Sequence, residues 1–377
     1  MASIVRLQIT NIYGGDYTAP IQVGASKTTV NVLLDTGSST LALDATKYKP
    51  DTAAGDQTTD MAQYAAYGDG SHFTGALIHT TVTIGPAGAD AVLAGANVAI
   101  AYSASADMFG QTDGILGLAY AELDDAYTMP TDTWAHHYTE GQVKRAPRTT
   151  VTPYLTQLAG VGVVSDKISF YTRRSFPHEG GGGATDPLNL GWIVVGGGEE
   201  STDLYDGAFQ VVTVKADAWW NTNLKSIIVG AGPPINVPTQ PAMGQASNSI
   251  VDSGTNSLNL GPGILRSIMA ELTPAQAAQL QSAVKGQALK NTDLDLATWP
   301  TIGFVLEGDA GDVTVTVAPG DYWQLDTGAV GQAQAAITQG TDGMAILGLP
   351  AMNGYFVIFD GEADNGRGVI RFATRKG

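Results

Sequence analysis

Short apolar runs recur along the whole chain, and turn residues separate them. Val, Ile and Thr are frequent in the runs, whereas Gly, Asp and Asn are frequent between them. Runs of this length and composition are typical of the strands of all-β proteins. The pattern therefore predicts a mainly β fold for this chain of 377 residues.

The chain carries the same two motifs twice, in the same order. An apolar run ends in Asp-Thr-Gly-Ser at 35–38, and another ends in Asp-Ser-Gly-Thr at 252–255. The sequence Ile-Leu-Gly follows downstream of each, at 115–117 and at 346–348. The period is about half the chain, which is far too long for a solenoid. Two duplicated β lobes explain it better.

We place the boundary between the predicted lobes in a glycine-rich stretch. Four consecutive glycines occupy 180–183, and such a run holds regular structure only at a high entropic cost. The predicted lobes are residues 1–187 and residues 188–377.

Helices are expected to be few. A Thr-Pro pair is a good helix start, because Thr caps the helix and Pro fits its first position. Such pairs predict a short helix after Pro153, through Leu155 and Leu158, and another over 275–284. The stretch 122–148 is polar and irregular, and we expect a surface loop there.

Charge and composition narrow the range of functions. The net charge is −17, with only 19 Lys and Arg residues, so a nucleic-acid partner is not expected. No run approaches the roughly 18 apolar residues of a membrane helix, and the first fifteen residues contain no long apolar stretch. The chain has no cysteine, which excludes disulfides and a cysteine nucleophile. Together these features favour a cytoplasmic location, or export if a signal segment has been trimmed.

The repeated Asp motif has a chemical meaning. An apolar strand delivers Asp35 or Asp252 to a tight turn, where the following Gly allows close approach of a ligand backbone. Two such carboxylates, on equivalent turns of two lobes, can meet across a pseudo-twofold axis. They then share one proton, so that one acts as general base on a water molecule and the other as acid. This chemistry needs neither metal nor cofactor, and we expect none.

These motifs resemble the two active-site signatures of the pepsin-like aspartic proteases. The resemblance extends over nearly the whole chain, from the strand that begins at Asp16-Tyr17 to the last strands at 355–360 and 368–373. It implies a bilobal pepsin-like fold with a central cleft. It also implies an endopeptidase that cuts peptides or proteins, typically between large apolar residues, and that works as a monomer sensitive to pepstatin.

The resemblance also implies roles for individual residues. Asp35 and Asp252 would be catalytic. Tyr67-Gly68-Asp69 would form the flap, a β-hairpin that closes over an extended peptide. The supporting residues would be Thr36, Ser38, Ser253 and Thr255, and the further substrate-binding residues would be Leu33, Gly37, Ile115 and Gly254.

The sequence departs from the family pattern at two positions. Ala42 stands where a Trp usually bonds the flap tyrosine, so Tyr67 is expected to have another partner or the flap to be looser. Leu349 stands where acid-active members often carry Asp. The absence of disulfides and of a basic propeptide resembles the bacterial, intracellular-type members of the family.

A catalytically silent pepsin-fold protein, which binds peptides or inhibits another enzyme, is the alternative. Such proteins typically lose one Asp or the supporting hydroxyl groups. Both aspartates and their neighbouring hydroxyl residues are present here, so the sequence favours activity. A dimeric half-size protease is disfavoured, because both signatures lie in one chain.

Leu349 leads to a prediction about the pH of activity. Loss of a nearby carboxylate removes like-charge repulsion behind the second motif, so we expect an optimum less acidic than that of gastric members of the family. Peptide cleavage measured across the acid range checks this. A profile that peaks near about pH 2 would contradict the expected effect of the missing charge.

Overall fold

The structure is a computed structural model that describes residues 2–238 and 246–377. The chain divides into two compact units. The first comprises the described residues of Met1–Leu7, Thr18–Asp166 and Val194–Gly197, and the second comprises those of Gln8–Tyr17, Lys167–Ile193 and Gly198–Gly377. The boundary predicted at residue 187 remains a prediction.

Strands predominate in both units, and the predicted mainly β fold is confirmed. The strands are β1 (Val5–Thr10), β2 (Thr18–Val23), β3 (Thr28–Asp35), β4 (Leu41–Asp44), β5 (Gln57–Ala66), β6 (His72–Ile84), β7 (Ala91–Ala104), β8 (Gly114–Gly117), β9 (Asp125–Thr128), β10 (Arg148–Thr150), β11 (Lys167–Tyr171), β12 (Leu190–Val195), β13 (Tyr205–Thr213), β14 (Asn221–Thr222), β15 (Leu224–Val229), β16 (Ile235–Asn236), β17 (Ser249–Val251), β18 (Leu258–Leu260), β19 (Leu289–Lys290), β20 (Ile302–Leu306), β21 (Val313–Val317), β22 (Trp323–Leu325), β23 (Gln332–Ala335), β24 (Ile337–Gln339), β25 (Ala345–Leu347), β26 (Tyr355–Asp360) and β27 (Val369–Arg375).

The helices are short. They are α1 (Glu140–Val143), α2 (Tyr154–Gly160), α3 (Pro262–Ala270), α4 (Pro274–Val284), α5 (Pro319–Tyr322) and α6 (Leu349–Met352). Short 3-10 turns lie at Ala121–Leu123, Gly183–Thr185, Pro187–Asn189, Asn291–Asp293, Leu296–Thr298 and Asp364–Gly366. Within the described part of the chain, no helix is long and apolar enough to cross a membrane.

Both predicted helices are present, as α2 and α4. At the start of α4, the Thr273 side chain accepts a hydrogen bond from the backbone N–H of Gln276. This is the capping arrangement that a Thr-Pro pair favours. Helix α3 was not predicted, although its buried Ile264, Leu265 and Ile268 follow helical spacing.

The strands of the first unit form a sheet that closes on itself. Its order is β10-β9-β5-β6-β7-β4-β8-β3-β2, and β2 pairs in addition with β6. The six strands from β6 to β2 therefore make a ring. Alternate residues point into it, which is why Val30, Val32 and Leu34 of β3 are buried.

The second unit contains several smaller sheets. Strands β11, β26, β27 and β13 pair in that order, and β14-β17-β25-β18-β24 form the sheet that carries the second Asp motif. Two more sheets have the orders β16-β15-β20-β21 and β19-β23-β22. Large aromatic side chains are fully buried in this unit, among them Phe304, Trp323 and Phe359.

The prediction of a surface loop over 122–148 was wrong. This stretch contains β9 and α1 and leads into β10, and β9 pairs with β5 through Met61 and Gln63. Its buried Met129, Tyr138 and Val143 pack against Ala62 of β5. The apolar residues were too widely spaced for a strand or helix period, because they cover the edge of a neighbouring sheet instead of forming a core of their own.

Three carboxyl groups have pKa values above the ordinary range of Asp. Burial is the main cause that raises the pKa of Asp16 to about 8, of Asp124 to about 7 and of Asp321 to about 6. Burial disfavours the charged form, because the protein interior solvates charge poorly. These three groups therefore stay protonated in the folded protein at pH values where they ionise in the unfolded chain.

Other carboxyl groups have the opposite shift. Burial alone would raise the pKa of Asp186 and Asp360, but hydrogen bonds and cations outweigh it. The main opposing groups are His178 for Asp186 and Arg371 for Asp360, and both pKa values lie below the ordinary range. These groups stabilise the fold above the unfolded pKa of about 4 and lose that effect as the pH falls further.

We predict that the folded protein is most stable near about pH 4 to 5. Above the unfolded pKa, the unfolded chain ionises Asp16, Asp124 and Asp321 while the folded protein does not. The free energy of unfolding then falls by up to about 1.4 kcal/mol per pH unit for each group, until the folded pKa is passed. Thermal melting between pH 4 and 8 checks this.

In the variant Asp321→Asn, the melting temperature should fall less between pH 4 and 6 than in the wild type. The reason is that the variant lacks one of the three groups with a raised pKa. Asp309→Asn is the matched control, since Asp309 is exposed. A melting temperature that rises steadily from pH 4 to 8, or equal slopes for both variants, would contradict the prediction.

Candidate active site

Asp35 ends β3 and lies in a compact cradle of donors. The backbone N–H of Gly37 donates to its Oδ1 over 2.8 Å, and the Ser38 hydroxyl donates to its Oδ2 over 2.5 Å. The side chain is almost fully buried, with 6% of the residue exposed. Each carboxylate oxygen therefore has a short donor from the residues that directly follow in the sequence.

Asp252 directly follows β17 and has the same cradle in the second unit. The backbone N–H of Gly254 donates to Oδ1 over 2.9 Å, and the Thr255 hydroxyl donates to Oδ2 over 2.6 Å. Asp252 is also buried, with 7% exposed. Each of these distances differs by only 0.1 Å from its counterpart at Asp35.

The Ile-Leu-Gly sequences lie directly beside the two Asp strands. Strand β8 runs parallel to β3, which places Gly117 opposite Asp35. Strand β25 runs parallel to β17, and the backbone N–H of Asp252 donates to the carbonyl oxygen of Leu347. The next strand along the chain, β4 or β18, pairs antiparallel with the same neighbour. The two units thus build each motif from the same three-strand arrangement.

Space requires the glycine at the end of β8, Gly117, and the glycine directly after β25, Gly348. A Cβ on Gly117 would lie inside the van der Waals radius of the Ser39 and Thr40 backbone. A Cβ on Gly348 would collide in the same way with the carbonyl oxygens of Thr255 and Ser257. No larger residue fits, because the turn that follows each Asp packs directly on this backbone.

A hairpin carries Tyr67, Gly68 and Asp69 at its tip. Strands β5 and β6 pair up to Ala66 and His72, and the Tyr67 N–H then donates to the carbonyl of Ser71. Gly70 adopts a φ of 89°, a left-handed conformation that suits glycine and allows the tight turn. Gly68 and Asp69 are exposed, whereas the Tyr67 hydroxyl is buried.

Tyr67 packs on an apolar cluster of the first unit. Leu33, Ala42 and Ile115 belong to the same cluster, together with Phe73 and Phe109. Three of the predicted substrate-binding residues, Tyr67, Leu33 and Ile115, are therefore brought together. Ala42 is fully buried there and leaves the ring of Tyr67 without an indole neighbour at that position.

The Tyr67 hydroxyl has no hydrogen-bond partner within 2–238 and 246–377. Burial is the main cause that raises its pKa, and the nearby charge of Asp35 adds to the effect, while the Ser38 hydroxyl acts in the opposite direction. The hydroxyl is thus close to the carboxylate of the first motif. A buried hydroxyl without a partner costs about 1–3 kcal/mol, so it is ready to accept a bond from a ligand or to donate one.

Asp16 is a residue of the site that the sequence did not identify as functional. Burial raises its pKa most, and the charge of Asp252, in the same unit, raises it further. Its Oδ1 has no hydrogen-bond partner in the described part of the chain. Gly15 beside it approaches the Asn256 side chain, which follows the second motif. Sequence spacing gave no signal here, because Asp16 and Asp252 are distant in the chain.

Asp124 is the second residue that was missed. It follows the rear strand β8 by a few residues and is 2% exposed. Thr40, two residues after the first motif, donates to its Oδ1 over 2.8 Å, and Gln63 of β5 donates to the same oxygen over 2.7 Å. The sequence contained one indication, an Asp-Asp pair soon after the Ile-Leu-Gly sequence, but it was assigned to a solvated loop.

Comparison with known proteins agrees with this geometry. The family model described as eukaryotic aspartyl protease matches residues 16–374. Among similar proteins, pepsin-2B of Gadus morhua is 24% identical over 94% of this chain and 96% of its own length. Cathepsin D of Chionodraco hamatus is 26% identical over 98% of this chain and 83% of its own length. A vacuolar aspartic protease of Candida albicans is 25% identical over 86% of this chain and 72% of its own length.

The matched range contains both Asp cradles, both rear strands and the hairpin of β5 and β6. It leaves only short stretches at the two ends of the chain unmatched. The chain belongs to the eukaryotic aspartyl protease family and is an aspartic-type endopeptidase.

Proposed function

We propose that Asp35 and Asp252 are the two catalytic carboxylates of this endopeptidase. The observation that carries the proposal is the repeated cradle, in which an amide and a hydroxyl hold the two oxygens of each carboxylate at nearly equal distances. Such donors fix the orientation of a carboxylate and stabilise its ionised form. One member of the pair acts as general base on water, and the other supplies a proton.

The flap residues and the apolar cluster are proposed to bind the substrate. Tyr67, Gly68 and Asp69 lie on a hairpin tip with exposed backbone, which suits an extended peptide. Leu33 and Ile115 offer an apolar surface beside Asp35. Gly37 and Gly254 leave room for the backbone of a peptide next to each carboxylate. We infer a preference for large apolar residues at the cleavage site.

The four supporting residues divide into two kinds. Ser38 and Thr255 are proposed to hold the outer carboxylate oxygens, as their hydroxyl groups donate to Oδ2. Thr36 and Ser253 are fully buried in the two turns and are proposed to brace them. Pepstatin sensitivity, a monomeric state and a bacterial type remain predictions, as do the absences of metal, cofactor and nucleic-acid partner.

The cytoplasmic location predicted from composition finds no support in the comparisons. One of the similar proteins is named as a vacuolar protease. An acidic compartment or an exported form, the alternative, fits the raised pKa values of Asp16, Asp124 and Asp321, because each of these groups lowers the stability of the fold as the pH rises above its unfolded pKa. We therefore propose that the enzyme works in an acidic environment.

Replacement of either catalytic Asp tests the assignment. Asp35→Asn and Asp252→Asn should each lower kcat/KM on an apolar-rich peptide by about 100- to 10,000-fold, because a positioned acid or base is lost. The measurement is cleavage across pH 3 to 7, with and without pepstatin. Asp309→Asn serves as the exposed control.

Two outcomes would contradict the assignment. Full activity in either Asp variant would remove that residue from the chemistry. A folded wild-type protein that binds the peptide without cleaving it at any pH would favour the silent, peptide-binding alternative.

Removal of the hydroxyl donors gives a finer test. Ser38→Ala and Thr255→Ala should lower kcat/KM by about tenfold each, and by similar factors, since the two hydroxyls donate with matched geometry. Both donors stabilise an ionised carboxylate, so their loss should move the acid limb of the pH profile to higher pH. Steady-state kinetics from pH 3 to 6 measure this shift.

Ser39→Ala is the matched control for Ser38→Ala. The Ser39 hydroxyl donates to the carbonyl oxygen of Tyr120 and not to a carboxylate. It should therefore leave the acid limb in place, even if it reduces stability. An acid limb that shifts equally in the Ser38 and Ser39 variants would refute the role of the donor to Asp35.

A further inference from the structure

Asp124 occupies an unusual position in the first unit. It is buried, yet the two groups that bond to its Oδ1 come from different parts of the site. Thr40 follows the turn that holds Asp35, and Gln63 lies in β5, the first strand of the flap hairpin. One carboxyl oxygen therefore connects the turn of the first motif to the base of the flap.

The surroundings of Asp124 are fixed from several sides. Its backbone N–H donates to the carbonyl of Ala121, and its own carbonyl accepts from Val151. Thr40 and Gln63 are themselves buried, with 5% and 2% exposed. The Thr40 carbonyl also accepts from the N–H of Gly117, the rear glycine opposite Asp35. A side chain held in this way transmits a shift of one element to the others.

Tyr67 lies at the other end of the same arrangement. The flap strand continues from Gln63 for only three residues before it reaches Tyr67. Tyr67 packs on the apolar cluster that contains Ala42. It directly follows β5, the strand that Gln63 attaches to Asp124.

We propose that Asp124 is a positioning residue, which ties the base of the flap to the turn after the first motif and so sets where Tyr67 lies relative to Asp35. The inference rests on the proposed roles of Asp35 and Tyr67. Asp124 is not proposed to touch substrate. It acts through Thr40 and Gln63, each of which it holds by one hydrogen bond.

The protonation state of Asp124 determines which variant imitates it best. Burial raises its pKa to about 7, the bonds from Thr40 and Gln63 act in the opposite direction, and the neighbouring charge of Asp125 adds a small rise. The group is therefore neutral at acid pH. Asn has the same shape, is neutral as well, and offers a carbonyl oxygen that accepts the same two hydrogen bonds.

The first experiment measures kcat and KM at pH 4 to 5 for variants at position 124. Asp124→Ala should lower kcat/KM by about tenfold, since loss of positioning reduces the fraction of productive complexes. Asp124→Asn should stay within about twofold of the wild type. Asp125→Ala is the matched control, because Asp125 is the adjacent residue and pairs with the exposed Arg148 instead.

A double-mutant cycle separates positioning from general damage to the fold. In a Tyr67→Phe background, the hydroxyl that Asp124 is proposed to place is absent. Asp124→Ala should then cost clearly less than tenfold, because the two residues are coupled. Equal losses in both backgrounds would overturn the proposal, and so would an Asn variant as damaged as the Ala variant.

Hydrogen exchange tests the positioning role of Asp124 independently of activity. The amides of Tyr67 and Gly70 are bonded within the hairpin tip, and Asp124→Ala should make them exchange faster while the rest of the unit keeps its protection. Unchanged exchange at the tip would overturn the proposal. If the wild type cleaves no peptide, the proposed function fails, but this measurement still decides whether Asp124 holds the flap.

Two milder substitutions test the proposal if Asp124→Ala does not fold. Thr40→Val and Gln63→Leu each remove one of the two bonds to Asp124. Gln63→Leu should loosen the hairpin tip more than Thr40→Val, because Gln63 is the residue on the flap strand. The opposite order would contradict the proposed path from Asp124 to Tyr67.

Discussion

The structure of both candidate sites depends on one constraint, which is that a carboxylate buried at the end of a strand needs donors for both of its oxygens. An unpaired buried charge is far too costly, and the chain meets the requirement within three residues. A glycine amide bonds one oxygen, and a hydroxyl bonds the other. The turn that brings these donors together is so tight that the neighbouring strand must end in glycine. Gly117 and Gly348 fill that requirement in the two units.

Burial of carboxyl groups outside the cradles follows a different rule. Burial is the largest cause of the raised pKa values of Asp16, Asp124 and Asp321, and the two hydrogen bonds to Asp124 do not outweigh it. A carboxyl group in this state behaves as a neutral polar side chain in acid. Asp186 and Asp360, which bond to His178 and Arg371, have lowered pKa values instead. An enzyme that works at acid pH can use both kinds as structural elements.

The segment that follows β8 shows how the first unit supports its flap. Strand β9 pairs with β5, and the apolar side chains of α1 and its neighbours pack on the same strand. Asp124 lies at the start of this segment and bonds both the flap strand and Thr40. Position 42 carries a small residue, Ala42, and not a large side chain. The unit has instead a buried polar contact between Gln63 and Asp124 at the base of the hairpin. On the proposed role of Asp124, the position of the hairpin tip depends on this contact at its root.

The sequence by itself determined the fold class, the duplication and the two Asp turns. Each of these is local, since strand pattern, the Asp-Thr-Gly-Ser and Asp-Ser-Gly-Thr turns and the helix start at Thr273 depend on residues within a few positions. The resemblance to the pepsin-like proteases implied the hydroxyl donors Ser38 and Thr255, and each lies three residues after the carboxylate that it bonds.

Only the tertiary structure decided the roles of Asp16, Asp124 and the segment over 122–148. Gln63 and Asp124 are 61 positions apart, and no periodicity in the chain relates them. Their contact exists because β9 pairs with β5, a long-range choice that depends on packing. Burial, which sets the pKa values of Asp16 and Asp124, is likewise a property of the folded chain. The two Asp turns could therefore be predicted from the sequence. The polar contact that joins one of them to the strand before the proposed flap could not be predicted.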